Sequence, residues 1–230
     1  MSWLLACRWR QVGEDGAVKD WVAWHLTYQD LESALSLRLE RVKQHLARAI
    51  DDAPPGQISL VSLCAGQGHD VTGVLPGHRR RDDVRALLVE FDPTNAGEAR
   101  RRAEEAGLTQ VQVRQADAGQ VASYADALPA ELLLLCGIFG NITDAEIERV
   151  VRAAPAMCAP GATVIWTRHR RAPDLTPQIS SWFAANGFDE VAFDAVESST
   201  LTGVGVHRLS RPAVTESPSG RLFAFRSESG

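Results

Sequence analysis

The chain has 230 residues, of which 45% are hydrophobic and 23% are charged. This length suits one domain with a small appendage, and this composition excludes wholesale disorder. The longest apolar stretch, residues 132–140, is shorter than the roughly 20 residues of a membrane-spanning helix, and a net charge of −5 offers no general attraction to phosphate backbones, so neither a membrane nor a nucleic-acid partner is expected.

The first ten residues and the cysteines bear on the compartment of the protein. Only a few apolar residues precede Arg8 and Arg10, which differs from the pattern of a secretory signal peptide. The four cysteines occur without CxxC or Cys/His spacing, so the sequence predicts neither a disulfide framework nor a metal site. We therefore expect a cytoplasmic protein without a bound metal.

The first strong pattern along the chain is helical. Apolar residues recur every three or four positions between residues 31 and 50, which predicts an amphipathic helix. Thr27 or Asp30 could cap its start, and the Pro-Pro-Gly sequence at 54–56 ends it. We expect residues 1–55 to form a helical cap or lid segment.

From residue 56 onward, short apolar runs alternate with helical patterns. This alternation favours a mostly parallel sheet with helices on both faces. The last two runs are separated only by residues 197–202, which are mostly Ser and Thr, so no crossover helix fits and an antiparallel hairpin is predicted. The predicted strands are 58–63, 84–91, 111–114, 131–136, 163–167, 190–196 and 203–209, and the predicted helices are 70–75, 95–106, 121–127, 144–157 and 177–186. The sequence therefore predicts an α/β fold with a doubly wound, Rossmann-like core at 56–211 and a tail at 212–230 that could add one docked strand.

The turn after the first predicted strand carries the clearest binding signal. It reads Ser-Leu-Cys-Ala-Gly-Gln-Gly-His-Asp over residues 62–70. Glycines let a ligand approach the backbone, and the helix that follows begins with free N–H groups. A dinucleotide fingerprint requires a third glycine where Val71 stands, so a pyrophosphate site is disfavoured. Glu90, 22 positions after Gly68, ends the second strand and could accept the hydrogen bonds of a ribose diol.

This turn resembles the first motif, D-x-G-x-G-x-G, of class I S-adenosylmethionine-dependent methyltransferases. The pattern falls on Ser62, Cys64, Gly66 and Gly68, so a serine replaces the usual acid and a cysteine replaces the first glycine. Asp70 could supply the missing carboxylate or cap the helix. The order of motifs over residues 56–210 is similar to the order in that family. The sequences at 62–70, 135–141 and 166–171 are also similar to those of a group of small bacterial methyltransferases. We expect Gly68→Val to abolish cofactor binding while the fold stays intact.

The resemblance implies S-adenosylmethionine as cofactor and methyl transfer by direct displacement. It places the ribose on Glu90, which in the family commonly sits three residues before a proline, and so disfavours Asp92. It places the adenine on Asp117 and the backbone of Ala118, and the methyl group near Phe139 and its flanking glycines. The implied cofactor-binding residues are Cys64, Ala65, Gly66, Gly68, Asp70, Glu90, Phe91, Asp117, Ala118, Cys136, Gly137 and Phe139.

The segment after the fifth predicted strand could bind the methyl acceptor. Arg168 and Arg170 could clamp an anionic group, since a guanidinium matches carboxylates and phosphates, or they could belong to a solvated loop that pairs with Asp174. His169 could act as a general base or serve a structural role.

The expected function is methyl transfer to a small molecule that carries an anionic group. A non-catalytic protein that binds S-adenosylmethionine as a sensor or partner subunit is the first alternative, and an NAD(P)-dependent oxidoreductase is the second. The acceptor atom and the oligomeric state stay open. The remaining candidates are Trp24 and His25 for substrate binding, in a segment that could instead pack on the sheet, and Tyr28 and Asn141 for catalysis.

Overall fold

The computed structural model describes residues 11–12, 18–19, 33–196, 201–211 and 218–225. Within these residues, seven strands form one sheet, and Gln11–Val12 pairs with Val18–Lys19 in a separate antiparallel ladder. The strands of the sheet are β1 (Ile58–Leu63), β2 (Val84–Glu90), β3 (Val111–Gln115), β4 (Ala130–Leu135), β5 (Cys158–His169), β6 (Phe188–Val196) and β7 (Thr202–Leu209). The helices are α1 (Ala34–Asp52), α2 (His69–Val74), α3 (Pro93–Glu105), α4 (Asp144–Met157) and α5 (Thr176–Ala185).

The sheet has the order β3-β2-β1-β4-β5-β7-β6. The strands β1 to β5 run parallel, whereas β7 is antiparallel to both of its neighbours, β5 and β6. The predicted α/β fold with a closing antiparallel hairpin is therefore confirmed. Because parallel strands share one direction, the loops that follow β1 to β5 all leave the same edge of the sheet.

Helices cover both faces of the sheet, and the central strands are buried on both sides. Leu60 of β1 and Leu132 of β4 pack in one apolar cluster with α1, α2 and α3. Their chain neighbours Val61 and Leu133 pack in a second cluster with α4 and α5. Successive side chains of a strand point to opposite faces, so near-continuous apolar runs produce a three-layer core.

Helix α1 belongs to this core through its carboxyl-terminal half, where Val42 and Leu46 are buried. Ser33 caps the helix, and its hydroxyl oxygen accepts a hydrogen bond from the Ser36 amide at 3.1 Å. The cap is thus not one of the two predicted residues at 27 and 30, which lie outside the described residues. Hydroxyl caps satisfy amides that the first helical turn leaves without a partner.

Arg80 closes the opposite end of α1. Its guanidinium donates to the carbonyl oxygens of Ile50 at 2.9 Å and Ala53 at 2.6 Å, and to that of Pro54 at 2.9 Å. The last carbonyl groups of a helix lack intrahelical partners, and a cation there also interacts favourably with the helix dipole. A loop before β2 therefore anchors the helix that precedes β1.

The predicted helix at 121–127 is wrong. Two short 3₁₀ turns, Val121–Ser123 and Ala125–Ala127, occupy the segment instead. Tyr124 between them has φ −146°, outside the helical region, and its side chain is fully buried with the hydroxyl 3.8 Å from the Met157 sulfur. Burial of the tyrosine against α4 thus outweighs local helix propensity.

An aromatic cluster joins β5 to the terminal hairpin. The indole Nε1 of Trp166 donates to Nδ1 of His207 at 3.1 Å, and the Phe183 ring stacks on His207 at 4.6 Å. Gly205 makes room for this arrangement, because a Cβ atom there would lie 2.2 Å from the Trp166 ring. Burial lowers the pKa of His207 to about 4, with Glu190 acting in the opposite direction.

We predict that His207 makes stability depend on pH. In the unfolded chain a histidine binds its proton near pH 6.5, whereas folded His207 binds one only near pH 4. Between these values the unfolded state holds more protons, so stability falls as the pH falls. The free energy of unfolding of the natural protein should drop by about 2 kcal/mol more than that of His207→Gln between pH 7 and pH 4.5. Urea titrations of both proteins measure this difference, and parallel pH profiles would contradict it.

Candidate functional site

The loops at the carboxyl ends of β1 to β4 bring most of the predicted site residues to one edge of the sheet. β1 lies between β2 and β4, and β3 lies beyond β2, so the four loops are neighbours in the order of their strands. In an open parallel sheet, ligands bind in the crevice at this edge. The site therefore depends on how each of these loops is held.

The turn after β1 is built from three residues with left-handed backbone. Cys64 has φ 54°, Gly66 has φ 57° and Gly68 has φ 68°. Cys64 thus adopts a left-handed conformation, which favours glycine. Ser62, at the position of the usual acid, is buried within β1.

Gly68 is required by packing as well as by its backbone angle. A Cβ atom at this position would lie 2.9 Å from Cδ2 of Leu88 in β2 and 3.5 Å from Cβ of Ala99 in α3. A valine at this position would be strained by the left-handed backbone and would require the Leu88 side chain to shift, so we expect Gly68→Val to reduce stability as well as cofactor binding.

Glu90 connects the turn after β1 to the loop after β2. Its carboxylate accepts hydrogen bonds from the amides of Gly66 at 2.7 Å and Asp92 at 2.8 Å. Burial raises the pKa of Glu90, and these two amide donors lower it. Asp92 has a structural role, because its side chain is the N-cap of α3 and accepts a hydrogen bond from the Asn95 amide at 2.8 Å.

The loop after β3 places Asp117 beside the same turn. Its Oδ1 accepts from the Gly119 amide at 2.8 Å, and its Oδ2 lies 2.8 Å from Nη2 of Arg221. Burial, Glu90 and Asp117 together raise the pKa of the Cys64 thiol, in that order of size, so both carboxylates act on this side chain. The next residue, Ala118, is buried.

A second group of charged residues lies near Cys136, the residue that follows β4. Asp70 is buried in the first turn of α2, where burial raises its pKa while Arg38 and Lys43 of α1 lower it. Its carboxylate also raises the pKa of Cys136, after the larger effect of burial. Gly68, not Asp70, is the N-cap of α2, so the capping interpretation of Asp70 is wrong.

The loop after β4 begins with Gly137, whose φ is 80° and whose Cα faces open space. Its amide donates to Oγ1 of Thr167 in β5 at 2.9 Å, and its carbonyl oxygen accepts from the side-chain amide of Asn141 at 2.6 Å. Asn141 therefore shapes the loop. The Phe139 side chain does not lie where the methyl group was predicted. Its ring is fully buried, with its centroid 5.9 Å from that of Trp166, so only the Phe139 backbone lies at the edge.

The two arginines of the predicted anion clamp, Arg168 and Arg170, both bind partners within the protein. Arg168 is buried; its guanidinium donates to the Phe139 carbonyl oxygen and lies 3.7 Å from Asp144. Arg170 pairs with Asp174 at 3.3 Å, which is the alternative interpretation of this segment. Arg168 therefore supports the loop after β4, and neither arginine serves as the predicted clamp.

The other predicted residues divide between exposed, partly buried and undescribed positions. The Phe91 side chain, directly after Glu90, is 47% exposed. His169 ends β5, with its Cδ2 atom 3.5 Å from the position that a Cβ atom on Gly140 would take. Ala65 packs at the edge of the cluster that contains α1 to α3. The predicted lid residues Trp24, His25 and Tyr28 lie outside the described residues.

Three residues with a role at this edge were not predicted. Arg38 acts on Asp70 and Cys136 from α1, Thr167 holds the Gly137 amide, and Arg221 pairs with Asp117 from the carboxyl-terminal segment. Each is distant in sequence from the residue that it contacts, and no local motif marks it. Among the described residues, no cluster of His, Cys, Asp and Glu could hold a metal ion, and no helix is long and apolar enough to cross a membrane.

No protein-family model and no curated protein matches the chain. The CurJ carbon methyltransferase aligns with a TM-score of 0.62 at 12% identity, over 82% of this chain and 58% of that one. The magnesium protoporphyrin IX methyltransferase from Synechocystis PCC 6803, solved with bound S-adenosylmethionine, aligns with a TM-score of 0.60 at 11% identity, over 84% and 98%. A tRNA methyltransferase from B. subtilis aligns with a TM-score of 0.53 at 15% identity, over 74% and 64%.

This chain thus spans less than two thirds of the CurJ and B. subtilis proteins and nearly the full length of the Synechocystis one. The three similar structures share the arrangement of the sheet and helices rather than a close sequence. The chain therefore has the fold of the class I S-adenosylmethionine-dependent methyltransferases.

Proposed function

We propose that the protein is a methyltransferase that transfers the methyl group of S-adenosylmethionine to a small-molecule acceptor. The observation that carries this proposal is the convergence of the turn at 64–68, Glu90 and Asp117 at one edge of a sheet with the methyltransferase strand order. One fold can host several chemistries, so the function depends on these residues and not on the fold alone.

The charges of the edge suit S-adenosylmethionine better than a dinucleotide. Asp70, Glu90 and Asp117 all lie around the turn, and the sulfonium of this cofactor is a cation. The pyrophosphate of a dinucleotide would instead bring negative charge beside three carboxyl groups, where like charges repel. Carboxylates are therefore a specific reason to prefer the methyl donor over NAD.

The residues offer contacts for both ends of the cofactor. Each oxygen of a carboxylate can accept two hydrogen bonds, so Glu90 keeps acceptor capacity for a ribose diol after binding two amides. The exposed ring of Phe91 can pack on a purine. At the other end, Asp70 and Arg38 both act on the pKa of Cys136, and an acid and a base together complement an amino-acid zwitterion.

When bound, S-adenosylmethionine would supply a methyl group on a positively charged sulfur, and the C–S electron pair would stay with the sulfur as the acceptor forms its new bond. The chain's contribution is to hold the donor in place beside the loop that the Asn141–Gly137 hydrogen bond shapes. His169 beside Gly140 is the candidate to remove a proton from the acceptor.

The small-molecule part of the proposal depends on charge. The net charge of the chain is −5, and Arg168 and Arg170 at this edge already have internal partners. Binding of RNA uses several lysines and arginines on successive phosphates. The paired arginines are also the reason to drop the predicted anionic group from the acceptor.

We predict that Glu90→Gln weakens binding of S-adenosylhomocysteine, the reaction product, by about 1–3 kcal/mol, because an amide offers one acceptor oxygen where the carboxylate offers two. Isothermal titration calorimetry measures the affinity. Thermal unfolding of the same variant shows how much of the loss comes from the turn that Glu90 holds.

Asp92→Asn is the matched control for Glu90→Gln. Asparagine caps helices as well as aspartate does, so α3 should keep its cap and the affinity should stay within about twofold of the natural protein. Equal losses in the two variants, or unchanged affinity in Glu90→Gln, would contradict the assignment of the ribose to Glu90. Binding of NAD in place of S-adenosylhomocysteine would favour the oxidoreductase alternative.

We also predict that the acceptor is found among metabolites and not in RNA. With isotopically labelled S-adenosylmethionine, label should appear in a small-molecule extract and not in total RNA incubated with the protein. Filter binding should detect no complex with tRNA at ~150 mM salt, where screening is physiological. Salt-sensitive tRNA binding or labelled RNA would overturn the small-molecule proposal. Tight binding of S-adenosylmethionine without labelling of any acceptor would favour the sensor alternative.

A further inference from the structure

The carboxyl-terminal residues 218–225 form part of the candidate cofactor site. This segment runs antiparallel to the loop after β3, with an isolated bridge between Gln120 and Arg221. The Val121 amide donates to the Gly220 carbonyl oxygen at 3.0 Å, and the Leu222 amide donates to the Gly119 carbonyl oxygen at 2.8 Å. The tail thus docks as predicted, but among its described residues only Arg221 forms a β-bridge, so the segment is not a regular strand.

The segment is an integral part of the core. Leu222 and Phe223 are 5% and 1% exposed, and both belong to the apolar cluster that contains Ala118 and Val121. A Cβ atom on Gly119 would lie 2.1 Å from the Phe223 carbonyl oxygen, so only a glycine permits this approach. The loop after β3 and the segment are therefore shaped to fit each other.

Two residues of α4 hold the segment from its other side. Arg149 donates to the Leu222 carbonyl oxygen at 3.1 Å, and the Ala224 amide donates to Oε1 of Glu146 at 3.0 Å. Neither of these two hydrogen bonds involves the side chain of Arg221, and the buried ring of Phe223 anchors the segment as well. The segment should therefore stay docked when Arg221 is replaced.

The side chain of Arg221 reaches from this segment to Asp117. Its Nη2 lies 2.8 Å from Oδ2 of Asp117, and its Nη1 donates to the Phe223 carbonyl oxygen at 3.2 Å. The Gly119 amide binds the other carboxylate oxygen, so both oxygens of Asp117 are held. The Asp117 side chain is still 38% exposed, which leaves part of the carboxylate accessible to a ligand.

We propose that Arg221 is a positioning residue that holds Asp117 as an oriented, charged acceptor for the exocyclic amino group of the cofactor's adenine. This inference rests on the proposed function. A fixed carboxylate accepts a hydrogen bond from a 6-amino purine, whereas it faces the carbonyl oxygen of a 6-oxo purine without a donor between them. Arg221 thereby sets the preference for adenine over hypoxanthine.

The experiment compares S-adenosylhomocysteine with its 6-oxo analogue, S-inosylhomocysteine, by calorimetry on the full chain. The natural protein should prefer the adenine form by about tenfold or more, which is the size of one well-oriented hydrogen bond. Arg221→Gln should lose most of this preference, mainly through weaker binding of the adenine form. Arg221→Lys should recover part of it, because lysine keeps the charge without the planar fork.

Two controls separate orientation of Asp117 from loosening of the loop. Arg114→Gln removes an arginine that pairs with Asp126 at 2.6 Å in the same region. Arg149→Gln removes one hydrogen bond to the segment, while Glu146 and the buried Phe223 still hold it. Both should keep the preference of the natural protein. If the role of Arg221 were purely structural, Arg221→Gln would reduce binding of the two ligands equally.

An unchanged preference in Arg221→Gln would overturn the inference while leaving the proposed function intact. Tighter binding of the adenine form by this variant would also overturn it, since Arg221 would then block Asp117. If the natural protein binds neither ligand, the proposed function itself fails and the inference fails with it.

Discussion

The candidate site depends on one buried carboxylate that must satisfy its own hydrogen-bonding needs. Glu90 is removed from water, so its two oxygens require donors, and the amides of Gly66 and Asp92 provide them. This ties the turn after β1 to the start of α3. The left-handed residues of the turn expose the Gly66 amide to Glu90, and the same constraint fixes the edge where a ligand can lie.

Arginine side chains connect parts of the chain that are distant in sequence. Arg80 caps α1, Arg168 supports the loop after β4 through the Phe139 carbonyl oxygen, and Arg221 joins the carboxyl-terminal segment to Asp117. A planar guanidinium has five donors, so it can satisfy several carbonyl or carboxylate oxygens at once. These arginines thereby bind acceptors within the protein, while Asp70, Glu90 and Asp117 are the acids around the candidate site.

The sequence by itself determined the architecture and the place of the candidate site. Apolar runs of strand length alternating with helical patterns specify a parallel sheet with two covered faces, and the final pair without a crossover helix specifies the hairpin. The glycine turn and Glu90 were identifiable because the residues at the ends of neighbouring parallel strands meet whatever the rest of the chain does. Local rules were sufficient wherever contacts are set by strand order.

Only the tertiary structure decided which charged residues stay accessible at the edge of the candidate site. Arg168 and Asp117 look alike in sequence as polar residues after strands, yet one is buried against a carbonyl oxygen and the other is held at the surface by a residue about a hundred positions away. Tyr124 likewise leaves the helix that its segment predicts because α4 buries it. Side-chain pairing depends on contacts between elements remote in sequence, and the burial that such contacts create outweighs local propensity.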